Sequence, residues 1–333
     1  MNEVIKLVHG HGGKHTNELI ESIFYKYFNN TILDLGADSA IFPVSQGKMA
    51  FTTDSFVVKP LFFSGGNIGK LAVCGTVNDL AVSGAKPLYL SAGFIIEEGF
   101  PIETLDLIVK EMALQCEVSK IKIVTGDTKV VEKGCIDGLF INTSGVGIIE
   151  NNYEIKNVEP GDKIIVSGNI GEHGTTIALE RYNIDIKSNI KSDCAPVYRI
   201  ISTLKEYYPF IKIMKDPTRG GLVTILNEIS DRVGLSVKLL EESIPIEREI
   251  SAVNQILGLD PLYMACEGRG VFVVKSEMAE EILNKLHNLE QCGNASIIGS
   301  FTDDLEHMVY MENSFGGMRI LNILDGEMLP RIC

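Results

Sequence analysis

The chain has 333 residues, 45% of them hydrophobic and 22% charged, with a formal net charge of −14. At roughly 150 residues per domain this length predicts two domains with a sizeable core, and the composition excludes a disordered chain. The acidic balance excludes a nucleic-acid surface, which needs clustered lysine and arginine to release counterions.

No basic leader precedes an apolar run at the start, and no apolar stretch approaches a membrane span, so a cytoplasmic protein with no membrane partner is expected. The cysteines, Cys74, Cys116, Cys135, Cys194, Cys266, Cys292 and Cys333, are scattered without a C-x-x-C pair. Neither a disulfide framework nor a zinc ribbon follows, and most of these thiols read as reduced core residues.

In chain order, residues 49–53 read as a strand ending at Asp54. Residues 67–83 read as a helix, with Asn67 as N-cap and Gly84 and Pro87 as punctuation. A strand over 88–96, an amphipathic helix over 102–119 and strands over 121–125 and 138–149 follow. The polar segment 150–160 reads as a linker. Beyond it lie a strand at 163–167, helices at 174–182 and 220–233, a strand at 271–274 and a helix at 276–289. This alternation predicts two α/β or α+β domains, each a sheet covered by helices, over 1–152 and 153–333.

Aspartates recur at turns and strand ends: Asp38, Asp54, Asp79 and Asp127. Singly each reads as a turn or cap residue. Convergent, they would form a cage for hard divalent cations, since magnesium takes one or two carboxylates together with phosphate oxygens and water. Lys129, within Gly126-Asp127-Thr128-Lys129, adds a cation beside one proposed ligand.

Two glycine-rich segments could wrap phosphate through backbone amides. The first is His9-Gly10-His11-Gly12-Gly13, ahead of a helix starting near Thr16; it fits neither the Walker nor the Rossmann pattern. His9, His11 and His15 could alternatively form a metal site, which the intervening glycines disfavour. The second, 168–174, is equally readable as a tight structural turn. Further on, Asp216-Pro217-Thr218-Arg219-Gly220-Gly221 opens a helix with Arg219 near an anion. Glu267 precedes the strand at 271–274, where a buried or cation-paired carboxylate could serve as a base and a solvated one would be a plain turn residue. The chain runs into Cys333 through Leu329-Pro330-Arg331-Ile332, and a thiol on such an arm can carry a reactive group between sites.

HGHGG, TTDSFVV, GGNIGKLAVCGTVNDLAVSGAKP, GDTKV and DPTRGG stand here in the order found in the family of aminoimidazole ribonucleotide synthetase, selenophosphate synthetase and thiamine monophosphate kinase. Within that family EGRGVFVV and the ending LPRIC resemble the HypE family of hydrogenase maturation factors, which are carbamoyl dehydratases. One departure is Gly36-Ala37-Asp38-Ser39-Ala40, where relatives commonly show two adjacent acids.

The resemblance implies a PurM-like ATP-binding fold, an N-terminal domain whose sheets close into a β-barrel across a homodimer, and a C-terminal α/β domain beside it. It implies ATP with Mg2+ in the cleft, contacted by Gly10, Gly12, Gly13, Asp54, Asn78, Gly126, Asp127, Thr128 and Arg219. Asp38, Asp54, Asp79 and Asp127 would hold the metal. Cys333 would bear an S-carbamoyl group delivered by the carbamoyltransferase HypF; ATP would phosphorylate its oxygen, and Glu267, partnered by Lys129, would take the protons from nitrogen. The resulting S-cyano group would pass to iron on a HypC–HypD complex. The alternatives are another small-molecule synthetase of the same fold, such as a selenophosphate synthetase, and a non-catalytic maturation scaffold. The former would be expected to carry a reactive Cys or selenocysteine close to its N-terminus; here the first cysteine is Cys74, within a predicted helix.

Overall fold

The computed structural model describes residues 4–6, 9, 14–30, 47–182, 189–304, 307–324, 329 and 332. The first half begins with α1 (Lys14–Leu19), a π turn (Ile20–Tyr25) and α2 (Lys26–Phe28). It continues through β1 (Met49–Phe56), the short pair β2 (Phe62–Phe63) and β3 (Gly66–Asn67), α3 (Ile68–Val82), β4 (Ala85–Glu97), α4 (Ile102–Ser119), β5 (Lys122–Val131) and β6 (Leu139–Ile149). Four of the strands form a sheet in the order β1-β6-β4-β5, antiparallel except for the β4–β5 pair.

Helix α3 starts where the sequence predicts, because the Asn67 side chain accepts the N–H groups of Gly69 and Lys70 at 2.9 and 3.1 Å. It is buried on nearly every side rather than along one stripe. That is the signature of a helix enclosed by neighbouring elements. Strands β1 and β5 run past the ends expected from sequence, so Asp54, Gly126 and Asp127 lie within strands. The physical reason is ladder pairing with β6 and β4, which outweighs the poor strand propensity of aspartate and glycine.

The register separates two faces of this sheet. Asp54, Thr143, Ala92 and Gly126 form one row across it, on the side of α3. Ser55, Asn142, Gly93 and Asp127 form the next row, and successive residues point to opposite faces. The open face carries Met49, Phe51 and Ile95, with Phe51 72% exposed.

The second half contains β7 (Lys163–Val166), α5 (Glu172–Tyr182), α6 (Tyr198–Thr203), β8 (Ile211–Lys215), α7 (Gly221–Val233), β9 (Ser236–Leu240) and α8 (Arg248–Leu257). It closes with β10 (Val271–Val274), α9 (Ala279–His287), β11 (Ser296–Thr302), β12 (Val309–Glu312) and β13 (Met318–Ile320). Its sheet runs β13-β12-β9-β11-β7-β10-β8, mixed in direction because β12 pairs parallel to β9. All four residues of β10 are buried. Val271 and Val273 join the cluster around Leu222 of α7, while Phe272 and Val274 join that around Ile282 of α9. A strand covered on both faces reads as a continuous apolar run, which is how VFVV reads.

The polar segment between the two halves is packed: Tyr153 is buried, its ring 5.1 Å from that of Tyr208. Among the described residues no helix is long and apolar enough to cross a membrane.

Candidate active site

The loop ahead of β10 is held from three directions. Cys266 N–H donates to the carbonyl of Pro217, tying the loop to the turn that opens α7. The Asp193 carboxylate accepts the N–H groups of Glu267 and Gly268 at 3.2 and 3.1 Å. The Glu267 carbonyl accepts from the Asn78 side chain at 3.0 Å and from Ala195 N–H at 3.3 Å. Gly268 is required here because a Cβ at that position would collide with the Asp193 carbonyl oxygen. Backbone fixed at this many points presents one side chain, Glu267, in one place.

That side chain is only 2% exposed, and among the described residues its Oε1 has no hydrogen-bond partner. Burial first, and then the Cys194 thiol and the carboxylates of Asp216, Asp193 and Asp54, push its pKa well above the ordinary carboxylate value. A carboxylate tuned upward is suited to exchanging protons near neutral pH.

Around it the acids are crowded. Asp54 and Asp79 are both raised, chiefly by burial, and Asp79 raises Asp54 further. Asp216 is pushed up to about 7 by burial and by Asp79 and Asp54. Compensation comes from Arg219, which lowers Asp54, and from Thr52, whose hydroxyl donates to Asp79 at 2.7 Å. Mutually repelling carboxylates of this kind fit a hard divalent cation bound jointly with phosphate oxygens. Among the described residues no three His, Cys, Asp or Glu side chains stand as a ready-made metal cage.

The structure therefore brings together Asp54, Asp79, Arg219 and Glu267 of the residues expected from sequence. Asp127 and Lys129 lie elsewhere. Strand β5 is at the opposite edge of the sheet from β1, about 14 Å away at roughly 4.8 Å per strand. Asp127 also points to the opposite face from Asp54, is 72% exposed, and pairs with Lys129 at 3.7 Å. Thr128 is half-buried on the helix side. Gly126 has a structural reason to be glycine, since a Cβ there would approach the Ala92 carbonyl to 2.5 Å. Asn78 spends its amide on the backbone: it donates to Ala195 and Glu267 and accepts from Val197 N–H at 2.8 Å. His9 accepts from Lys6 N–H, and His15 pairs with Glu18. Gly10, His11, Gly12, Gly13, Asp38 and Cys333 lie outside the described residues.

The approach to Cys333 is described at two positions. Leu329 and Ile332 are both buried, 4% and 6% exposed, and they line a cavity of about 280 Å³ together with Arg219, Thr224, Met264 and Ala265. The carbonyl of Ile332 meets His173 Nε2 at 2.8 Å. His173 is fully buried, and burial pushes its pKa down to about 4, so it is neutral at physiological pH.

Sequence reading missed three acid or imidazole groups that shape this site. Asp216 opens the DPTRGG turn, and a carboxylate at the end of a buried strand was a usable signal. Asp193 and His173 carry no local signal, because their partners lie 19 to 159 residues away in sequence and meet them only through the fold.

Comparison with known proteins adds the lineage. The family model for AIR synthase related protein, N-terminal domain, matches residues 36–149, and that for its C-terminal domain matches 159–311. The carbamoyl dehydratase HypE of Rhizobium leguminosarum bv. viciae is 45% identical over all of this chain and 96% of its own length. A crystal structure of hydrogenase maturation protein HypE in complex with ATP superposes with a TM-score of 0.94 at 40% identity, covering 98% of this chain and 99% of that one. The HypE chain of a HypE–HypF complex matches with a TM-score of 0.81 at 44% identity, over 92% and 99% of the two chains. The chain belongs to the HypE family, within the AIR synthase related fold.

Proposed function

We propose that this protein is an ATP-dependent carbamoyl dehydratase that converts an S-carbamoyl group on Cys333 to S-cyanate, supplying the cyanide ligand for iron in hydrogenase maturation. The observation that carries the reading is the relation between the buried Ile332 and the acid loop. Ile332 lines the same cavity as Arg219 and Ala265, and Glu267 follows Ala265 by two residues. Cys333 is one peptide bond from Ile332. Binding of ATP by a HypE relative supports the nucleotide, and a HypE–HypF complex supports HypF as the partner that delivers the carbamoyl group. A HypC–HypD complex is proposed as the acceptor of the cyano group.

The carbamoyl oxygen is a poor leaving group, and ATP makes it a good one. That oxygen attacks the γ-phosphorus, the bond to ADP breaks, and one proton leaves the nitrogen, giving an S-isocarbamoyl phosphate. Loss of the second nitrogen proton then forms the C≡N bond as the C–O bond breaks and phosphate departs. Glu267 is the proposed acceptor for these protons, its burial making it a stronger base than an ordinary carboxylate. Arg219 lines the cavity and is the proposed cation for phosphate charge there.

Magnesium, bound with ATP by Asp54 and Asp79, would neutralise charge on the transferred phosphoryl group. Gly10, Gly12, Gly13 and Asp38 remain proposed contacts of the triphosphate and its metal. Asp127 and Lys129 belong to the open sheet face, so we assign their contribution to a homodimer in which that face of one subunit meets the other, closing a β-barrel. Gly126 and Thr128 of the same strand support that edge.

The test is ATP consumption by protein carbamoylated beforehand with HypF. Wild type should release ADP and phosphate with loss of one water from the adduct, and Cys333→Ala should bind ATP without forming adduct or product. ATP left unhydrolysed by carbamoylated wild type would favour a scaffold instead.

A further inference from the structure

We propose that His173 is a positioning residue: its Nε2–H holds the carbonyl of Ile332 and so fixes that residue in the cavity it lines, one peptide bond before Cys333. This rests on the reading that Cys333 carries the reacting group, and it assigns the means by which that group is presented.

The tautomer follows from the partners. A backbone carbonyl only accepts, so the proton toward Ile332 must be on Nε2. In a neutral ring Nδ1 is then an acceptor, and Ser192 Oγ, 2.7 Å away, donates to it. The Ser192 oxygen in turn accepts Cys194 N–H at 3.0 Å, while Ser192 N–H donates to the Ser64 carbonyl at 2.9 Å. Phe63 meets the imidazole edge-on, with ring centroids 5.3 Å apart at 82°. Every hydrogen-bonding group of the ring is therefore committed, and its orientation is fixed by both halves of the chain.

Among the described residues, Ile332 receives one hydrogen bond, and it is His173's. Leu329 and Ile332 are also buried. Ile332 lies in neither helix nor strand, so this bond holds a segment without ladder or helical hydrogen bonds at that residue. One hydrogen bond in a buried setting shifts a docked-to-free equilibrium by roughly tenfold. That is strong enough to favour the seat of Ile332 without locking it.

The experiment uses the full chain and reads the alkylation rate of Cys333 by a maleimide, by peptide mass spectrometry, with the exposed Cys135 as internal reference. His173→Phe keeps a ring against Phe63 and removes the donor; His173→Gln keeps a donor near the Nε2 position. His173→Phe should raise the Cys333-to-Cys135 ratio about tenfold and slow single-turnover dehydration by a similar factor. His173→Gln should restore both to within about twofold of wild type. An unchanged ratio in His173→Phe, or failure of His173→Gln to rescue it, overturns the proposal. Should His173→Phe fail to bind ATP and so prove misfolded, Ser192→Ala decides: it frees the ring and should raise the ratio roughly threefold, and no rise overturns the proposal. Failure of the carrier reading is separate, because it would appear as cyanation in Cys333→Ala whatever the alkylation result.

Discussion

The side chain of Asn78 donates to the backbone carbonyl of Glu267 across 3.0 Å, so the helix packed on the first sheet also fixes the loop that presents the buried acid. The same amide accepts Val197 N–H and donates to the Ala195 carbonyl. One residue thus couples the two halves of the chain at the floor of the proposed site. Asn78→Ala leaves Val197 N–H and the Ala195 carbonyl without that partner, and a loss of about 3 kcal/mol in unfolding free energy is expected. Denaturant titration checks this. An unchanged midpoint with weakened ATP binding would make Asn78 a nucleotide contact, as the family resemblance implies, instead of a structural coupler.

The crowded acids predict the pH dependence of the nucleotide-free protein. Asp216 has its folded pKa raised to about 7, so its contribution to stability is full below the unfolded carboxylate pKa and is lost as pH rises through about 7. His173 has the opposite sign: its pKa is depressed to about 4, so its contribution is lost as pH falls. Comparing Asp216→Asn with wild type cancels the histidine. In chelator and without nucleotide, the variant should melt above wild type at pH 8, with the gap closing toward pH 5. A gap that stays constant with pH would contradict the assignment.

Asp54 and Asp79 repel each other when empty and are proposed to share a cation when ATP is bound. Asp54→Asn and Asp79→Asn should therefore stabilise the nucleotide-free protein while weakening magnesium-dependent ATP binding roughly tenfold, about 1.4 kcal/mol. Calorimetric titrations with and without magnesium separate the two effects. Equal losses in both conditions would remove these residues from the metal site.

The open face of the first sheet predicts assembly. Phe51→Asp puts a charge in the middle of it, and light scattering should show a dimer in wild type and a monomer in the variant. If Asp127 and Lys129 act across that interface, the monomer should also lose dehydration of carbamoylated Cys333. A monomer with full activity would exclude both residues from the chemistry.

These residues mark how far the sequence could be read. Helix α3, its Asn67 cap, and the buried run of β10 were legible because each is written in local spacing. Strands β2, β3, β8, β9, β11, β12 and β13 and helices α6 and α8 escaped, the strands being short or set by pairing with distant partners. The aspartates were visible as residues but not as a group. Alternation in β5 sends Asp127 away from Asp54, and only the strand order places the two at opposite edges. Asp216 joins the cluster through the fold, with Asp79 and Asp54 as its acidic neighbours.

Glu267 is the centre of the account, and intact-mass analysis of Cys333 during a single turnover tests it most directly. Glu267→Gln preserves the shape of the buried side chain and the backbone bonds to Asp193 and Asn78. It should accept the carbamoyl group and then retain it, losing water about a hundredfold or more slowly than wild type, because an amide cannot take the nitrogen protons. Loss of water at the wild-type rate in Glu267→Gln would contradict the assignment of Glu267 as the base.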